Sequence, residues 1–261
     1  NKIKNILIDA GFDEVSTYTF GDKGNVEVQK PLASNLGKLR TNLSDGIEKS
    51  LELNVKNAPV LGLDEIKIFE IGKVFPDIDG EYFALAIGVE VAKKTKNSVS
   101  VKDEIIQKAV ELLQKTLQTN NIDLDASRPS GVGGIFEVNL DKLIESLPDP
   151  ELYEDVLGLD LRETILFKKI SQYPFMLRDI AVFVPNENSA DDVLEIIKEN
   201  AGDLLVRTKL FDTYSPEEGD KTSYAFNLVF QSQKKTLTDE EINVIMDKIT
   251  TQITSKNWEV R

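Results

Sequence analysis

The sequence predicts an α+β protein of two domains, the second of them a ferredoxin-like βαββαβ sandwich. Three observations predict it. Strand and helix signals alternate in the order β-α-β-β-α-β from about Phe167 to Arg261. Two capping boxes mark the helix starts within that segment. Ahead of it, Leu147 to Asp160 turns to Pro, Asp, Glu and Gly, and Pro148 and Pro150 break any helix, which places the linker there and the domains at 1–161 and 162–261.

In the second domain, Arg178 to Val184 is rich in β-branched and aromatic residues and reads as a strand that Pro185 ends, because proline cannot donate to a ladder. Ser189 and Asp192 form a capping box. Val193, Ile196, Ile197 and Ala201 then share a helix face, and Gly202 supplies a left-handed C-terminal residue. Leu204 to Tyr214 and Ser223 to Phe230 read as two strands of a hairpin joined by Ser215-Pro216-Glu217-Glu218-Gly219-Asp220. Thr238 and Glu241 make the second capping box, Ile242, Ile245, Ile249 and Ile253 follow at helical spacing, and Trp258-Glu259-Val260 closes the segment as an edge strand. Two helices on one face of an antiparallel sheet follow from that order.

Alternation sorts these strand residues between two faces. Tyr224, Phe226, Leu228 and Phe230 point to the helices, so Ser223, Ala225 and Asn227 point away; Ile180, Val182 and Val184 go inward and Asp179, Ala181 and Phe183 outward. With Phe211 taken as the core residue of the second strand, Leu210, Asp212 and Tyr214 fall on or near the outer face. An aromatic, a carboxylate, a hydroxyl and small residues on one open face suit an unstacked base, which stacks on Tyr214 while its edge bonds to Asp212 and Ser223. Solubility alone also puts a tyrosine and an aspartate on a wet sheet face, and spacing does not separate the two readings.

The first domain reads as mixed α and β. Ile3, Ile6, Leu7 and Ala10 make a short helix ending at Gly11, and Glu14 to Phe20 reads as a strand. Leu43, Ile47, Leu51 and Val55 recur on one face of a helix with Asn42 or Ser44 as cap. Ile66 to Phe75 and Tyr82 to Glu90 form a strand pair around Asp77-Ile78-Asp79-Gly80. Ser100 with Asp103 opens a long helix carrying Val101, Ile105, Ala109, Leu112, Leu113 and Leu117, and Gly134 to Val138 is a further strand.

Several blocks carry a family resemblance. Tyr173-Pro174, Arg178-Asp179-Ile180-Ala181, Leu210-Phe211-Asp212-Thr213-Tyr214, Ser223-Tyr224-Ala225-Phe226 and Thr236-Leu237-Thr238-Asp239-Glu240-Glu241 resemble, in order, the ferredoxin-fold anticodon-binding domain of the bacterial phenylalanyl-tRNA synthetase beta subunit. Upstream, Gly11-Phe12-Asp13-Glu14-Val15, Thr17-Tyr18-Thr19-Phe20, Pro31-Leu32-Ala33-Ser34, Leu39-Arg40-Thr41-Asn42-Leu43 and Ile68-Phe69-Glu70-Ile71-Gly72-Lys73-Val74-Phe75 resemble the catalytic-like module of the same subunit. The resemblance implies a class II synthetase-like antiparallel sheet domain, catalytically inactive, followed by the ferredoxin-like sandwich. It carries anticodon contact onto Asp212, Tyr214, Ser223 and Ala181, with Ala181 leaving room for the base.

Inactivity follows from departures within the resemblance. The class II ATP site needs an arginine beyond the strand and a glutamate two residues on, the guanidinium clamping a phosphate. Pro76 stands at the first position and Ile78 at the second. The third class II motif needs a glycine-rich strand and a helix bearing a second arginine, whereas Gly131-Val132-Gly133-Gly134 is followed by a helix with Lys142 and no arginine. Without cationic clamps the charge developing in amino-acid activation has nothing to stabilise it. No catalytic or metal-ligating residue is therefore assigned.

The resemblance further implies an alpha-subunit partner and tRNA(Phe), in an alpha2-beta2 enzyme. ATP and magnesium are expected of the complete enzyme, with no cofactor in this fragment. Arg40 and the helix from Ser44 to Asn57 resemble the region used in class II interfaces. Lacking an initiator methionine at Asn1 and starting within a synthetase module, the sequence reads as a C-terminal fragment, with the editing site and the magnesium-associated helical domain expected upstream.

Composition limits the alternatives. With no cysteine and no histidine, disulfides, thiolate sites and the usual general base are excluded, and with them Ser-His-Asp and Cys-His catalysis. No apolar run is long enough for a membrane span and no signal peptide is visible, so cytoplasm is the default. A formal net charge of −14 is unfavourable for a polyanion binder, which needs a basic footprint. A ferredoxin-like sensor of a small metabolite is the rival reading, an active class II ligase a more distant one.

Overall fold

The computed structural model describes residues 2–92, 98–119, 122, 134–147, 170–216 and 220–261. Two compact units result: residues 1–58 with 63–161, and residues 162–261 with 59–62. The expected linker lies, but for Leu147, outside the described residues, as do Gly131 to Gly133 and the tip of the Ser215–Asp220 turn.

Unit one is built on a four-stranded sheet in the order β1-β4-β5-β6, with β1 at Asp13–Glu14, β4 at Glu65–Val74, β5 at Tyr82–Val91 and β6 at Ile135–Asn139. The long pairings β4–β5 and β5–β6 are antiparallel, as expected, and the two-residue β1 adds a short parallel edge beside β4. Both faces of the sheet are buried, which is why β5 reads as the nearly continuous apolar run Phe83-Ala84-Leu85-Ala86-Ile87-Gly88-Val89 rather than an alternating one. One side packs Phe69, Leu85, Ile87 and Phe136 with α1 (Lys2–Asp9) and α3 (Ser98–Leu117) through Leu7, Ile106, Val110 and Leu113. The other packs Ile66, Ile68, Ala84 and Ala86 with α2 (Ser44–Leu61) through Ile47 and Leu51. There α2 passes so close that a Cβ on Gly88 would meet Ile47 Cγ2 at 2.3 Å.

One expectation fails in this unit. Glu14 to Phe20 is not one strand; it splits into the end of β1 and the start of β2 (Phe20–Gly21), which pairs with β3 (Lys38–Leu39). The backbone between them is drawn out of strand geometry to bring Thr17 to the Glu70 carboxylate, with Thr17 N at 3.2 Å and Oγ1 at 2.7 Å. In α3 the buried face is Ile106, Ala109, Val110 and Leu113, and Leu112 is exposed. α4 (Leu140–Glu145) follows β6, with Asn139 as its cap.

Unit two has the ferredoxin-like order. β7 (Met176–Pro185), α5 (Ala190–Ala201), β8 (Leu205–Tyr214), β9 (Lys221–Phe230), α6 (Asp239–Ser255) and β10 (Glu259–Val260) give a sheet ordered β10-β7-β9-β8, antiparallel throughout. Both capping boxes are formed, Ser189 with Asp192 and Thr238 with Glu241. Val182, Val184, Phe226, Leu228 and Phe230 meet Val193, Ile197, Ile242, Ile249 and Ile253 in one core on the helix side. Each such side chain contributes about 1.5–3 kcal/mol by leaving water.

Candidate nucleic-acid interface

The face of the second sheet away from the helices is set by the partners of β9. Ser223 lies opposite Phe183 on β7 and Tyr214 on β8; Ala225 opposite Ala181 and Asp212; Asn227 opposite Asp179 and Lys209. Asp212, Tyr214, Ser223 and Ala181 therefore share two adjacent rows of one face. Asp212 and Tyr214 are exposed, whereas Ser223 and Ala225 lie low between larger neighbours at 8% exposure each. No hydrogen bond or ion pair joins the Asp212 carboxylate or the Tyr214 hydroxyl to another described residue. Below them the Asn227 side-chain amide donates to the Asp179 carboxylate at 2.7 Å, closing the third row with an internal pair.

The reason these residues share a face differs from simple alternation. Phe211 is not a core residue: β8 bulges between Leu210 and Asp212, and Phe211 is 46% exposed. Leu210 is corrected too, since it pairs with Phe226 on the helix-side register. One extra residue on an edge strand absorbs the phase error that would otherwise turn Asp212 and Tyr214 toward the helices. Phe183 is the residue that sequence reasoning left unused, since its outward face was legible but its place directly across Ser223 from Tyr214 was not.

In unit one the turn after β4 offers no phosphate clamp. Pro76 and Ile78 occupy it, Ile78 at 79% exposure. Arg40, the nearest arginine in sequence, is committed internally: Nη1 donates to Glu70 Oε1 at 2.7 Å and Nε to the Lys73 carbonyl at 2.9 Å. Glu70 is 2% exposed, so this is a buried ion pair, and a Cβ on Gly72 would stand 2.3 Å from Arg40 Nη2. Nearby, the Glu137 carboxylate of β6 accepts from Leu43 N and Ser44 N at the start of α2. Burial and then the Glu137 charge push the Tyr82 phenol above its usual range.

Residues 171–261 match the family described as ferredoxin-fold anticodon binding domain, and residues 1–129 match the phenylalanyl tRNA synthetase beta chain CLM domain. The two occur in the expected order and together span most of the chain. The chain belongs to the phenylalanyl-tRNA synthetase beta chain family. Curated members with similar sequences are the phenylalanine--tRNA ligase beta subunits of Streptococcus mutans (27% identity over 98% of this chain and 37% of that protein), Francisella tularensis (27%, 96% and 35%) and Thermotoga maritima (25%, 95% and 36%). The chain thus spans little more than a third of the length of the beta subunits it matches. A solved structure described as a putative aspartyl-tRNA synthetase from Leishmania major aligns over 46% of this chain and 24% of that one at 13% identity and a TM-score of 0.25, a likeness that carries no fold assignment. These beta-chain relatives do not favour the metabolite-sensor alternative.

Proposed function

We propose that this chain is a non-catalytic part of a phenylalanine-tRNA ligase beta subunit, serving tRNA(Phe) aminoacylation through alpha-subunit association and anticodon recognition. The observation that carries the reading is the sheet register: in a domain of the anticodon-binding family, it gathers Tyr214, Asp212, Ser223 and Ala181 on one open face. Tyr214 offers a flat ring for an unstacked base, Asp212 and Ser223 bond its edge, and Ala181 keeps the floor low.

Unit one takes the scaffold role, as an inactive class II-like module. Its fit to ATP is poor, because Pro76 and Ile78 replace the clamp and Arg40 is tied to Glu70. Among the described residues no group of three or more Asp or Glu side chains could hold a metal ion. ATP and magnesium are expected of the complete enzyme rather than of this chain. Exposed apolar side chains, Tyr18 at 87%, Leu32 at 102% and Leu53 on α2 at 63%, support the alpha-subunit interface of an alpha2-beta2 assembly. Arg40 contributes to it only indirectly, by bracing the strands beneath.

No helix of the described residues is long and apolar enough to cross a membrane, in keeping with a cytoplasmic enzyme. The test is Tyr214→Ala in the alpha–beta enzyme carrying this chain. tRNA(Phe) affinity should fall by about 1–3 kcal/mol, the range for one base on an aromatic, with ATP-dependent activation of the amino acid unchanged. Unaltered tRNA affinity and charging would remove the assignment.

A further inference from the structure

We propose that Thr222 is a positioning residue for Tyr214, acting through a hydrogen-bond chain from Ser215 to Thr222 to Asn186 on the helix side of the sheet. The proposal rests on the anticodon-binding reading and adds to it a cause for the placement of the ring. Tyr214 is the last residue of β8, an edge strand that pairs on one side only, with β9, and carries two register shifts along its length. It is 57% exposed, and its pairing with Ser223 is the final rung of the ladder. Strand ends of this kind fray, because few contacts resist local opening. A ring at such a position keeps one placement only if something beyond the last rung holds the chain.

That hold is built from three side chains. Ser215 Oγ stands 2.9 Å from Thr222 Oγ1, one residue past the rung of Tyr214 and Ser223. Thr222 Oγ1 donates to Asn186 Oδ1 at 2.8 Å. A threonine hydroxyl has a single proton, so the bond to Asn186 fixes the direction of the other: Ser215 donates and Thr222 accepts. Thr222 is 8% exposed and lies opposite Val184, on the row that faces the helices, whereas Tyr214 and Ser223 face the other way. The chain of bonds therefore grips the strand end from the side away from the ring.

Asn186 is itself anchored. Its backbone N–H donates to the Asp220 carbonyl at 2.9 Å, so it is joined to both limbs of the connection between β8 and β9, to Asp220 directly and to Ser215 through Thr222. Asn188 N donates to the Pro185 carbonyl at 2.8 Å and closes the turn that contains Asn186, and Ser189, next in the chain, caps α5. The end of β8 is thus tied to a turn fixed on one side by β7 and on the other by α5. Holding a recognition group in place before its ligand arrives reduces the ordering cost of binding.

The experiment measures kcat and KM for the charging of tRNA(Phe) by the alpha–beta enzyme carrying this chain, with Thr222→Val, Thr222→Ser, Tyr214→Ala and the double variant Thr222→Val with Tyr214→Ala. Valine keeps the shape of threonine and removes the hydroxyl. Thr222→Val should raise KM for tRNA roughly three- to tenfold, the equivalent of one hydrogen bond, with kcat and amino-acid activation unchanged, and Thr222→Ser should stay near the parent. In the Tyr214→Ala background the same valine should add nothing, since the ring it would misplace is gone. If Thr222→Val does not fold, Ser215→Ala, at the exposed end of the chain of bonds, takes its place in the same cycle. A valine variant that matches the parent, a serine variant as weak as the valine one, or a valine effect of equal size with and without the Tyr214 ring overturns the proposal and leaves these bonds a stabilising contact only. If Tyr214→Ala itself leaves KM unchanged, the anticodon-binding reading falls and the positioning role with it.

Discussion

Glu70 shows how one side chain holds the first unit in shape. Its carboxylate, 2% exposed, accepts from the Arg40 guanidinium, the Thr17 hydroxyl and the Thr17 amide, tying β4 to the segments on either side of β2. Removing one partner of a buried pair leaves the other desolvated and uncompensated. Glu70→Ala should therefore destabilise unit one by about 3–5 kcal/mol in urea unfolding, and the double variant with Arg40→Met should recover part of that loss. A single variant as stable as the parent would show that the pair is not strengthened by burial. At the same scale, Phe69-Glu70 was legible in sequence as part of a strand, but the burial of Glu70 was not, because an acidic residue in a strand is ordinarily on the wet side.

The helices of the second unit depend on caps that the sequence displays openly. The Ser189 amide and then its hydroxyl lower the Asp192 carboxyl below its usual range, and Lys235 and then the Thr238 amide lower Glu241. A lowered carboxyl binds fewer protons in the folded than in the unfolded chain. Its stabilisation is complete above the ordinary carboxylate values near about pH 4 and is lost as pH falls through the folded-state values. A chain with Asp192→Asn and Glu241→Gln should thus be less stable than the parent near about pH 7 and converge with it near about pH 2, measured by denaturant midpoints. A stability gap that stays constant across that range would contradict the linkage. Separately, Thr238→Ala should cost about 1 kcal/mol near neutrality, because α6 then loses the side-chain acceptor at its first turn. Strand β8 is the opposite case. Its bulge at Phe211 leaves no mark in a single sequence, since an inserted residue on an edge strand resembles ordinary alternation until its partner strand is known.

For the whole molecule, charge bears on the proposed tRNA-binding role. A net charge of −14 opposes a polyanion, so the proposed role calls for few phosphate contacts from this chain, with stacking and hydrogen bonding on the open face carrying the recognition. The affinity of the chain for tRNA(Phe) should fall with salt no more steeply than about two phosphate contacts allow, as read from log affinity against log salt. A steep slope would mean a basic footprint and a backbone-driven mode. The order of elements in the second unit, the two capping boxes and the inward face of β9 were determined by the sequence itself. Each of these is written in residue type and local spacing, which act within a few positions along the chain. Tertiary structure alone decided the parallel β1 edge, the burial of both faces of the first sheet, the Glu70 to Arg40 pair, the Phe211 bulge and the position of Phe183 across Ser223 from Tyr214. The physical reason is common to them: cross-strand register and burial depend on which distant segment lies alongside, and the open face that carries Asp212 and Tyr214 exists only once three strands have set their registers against one another.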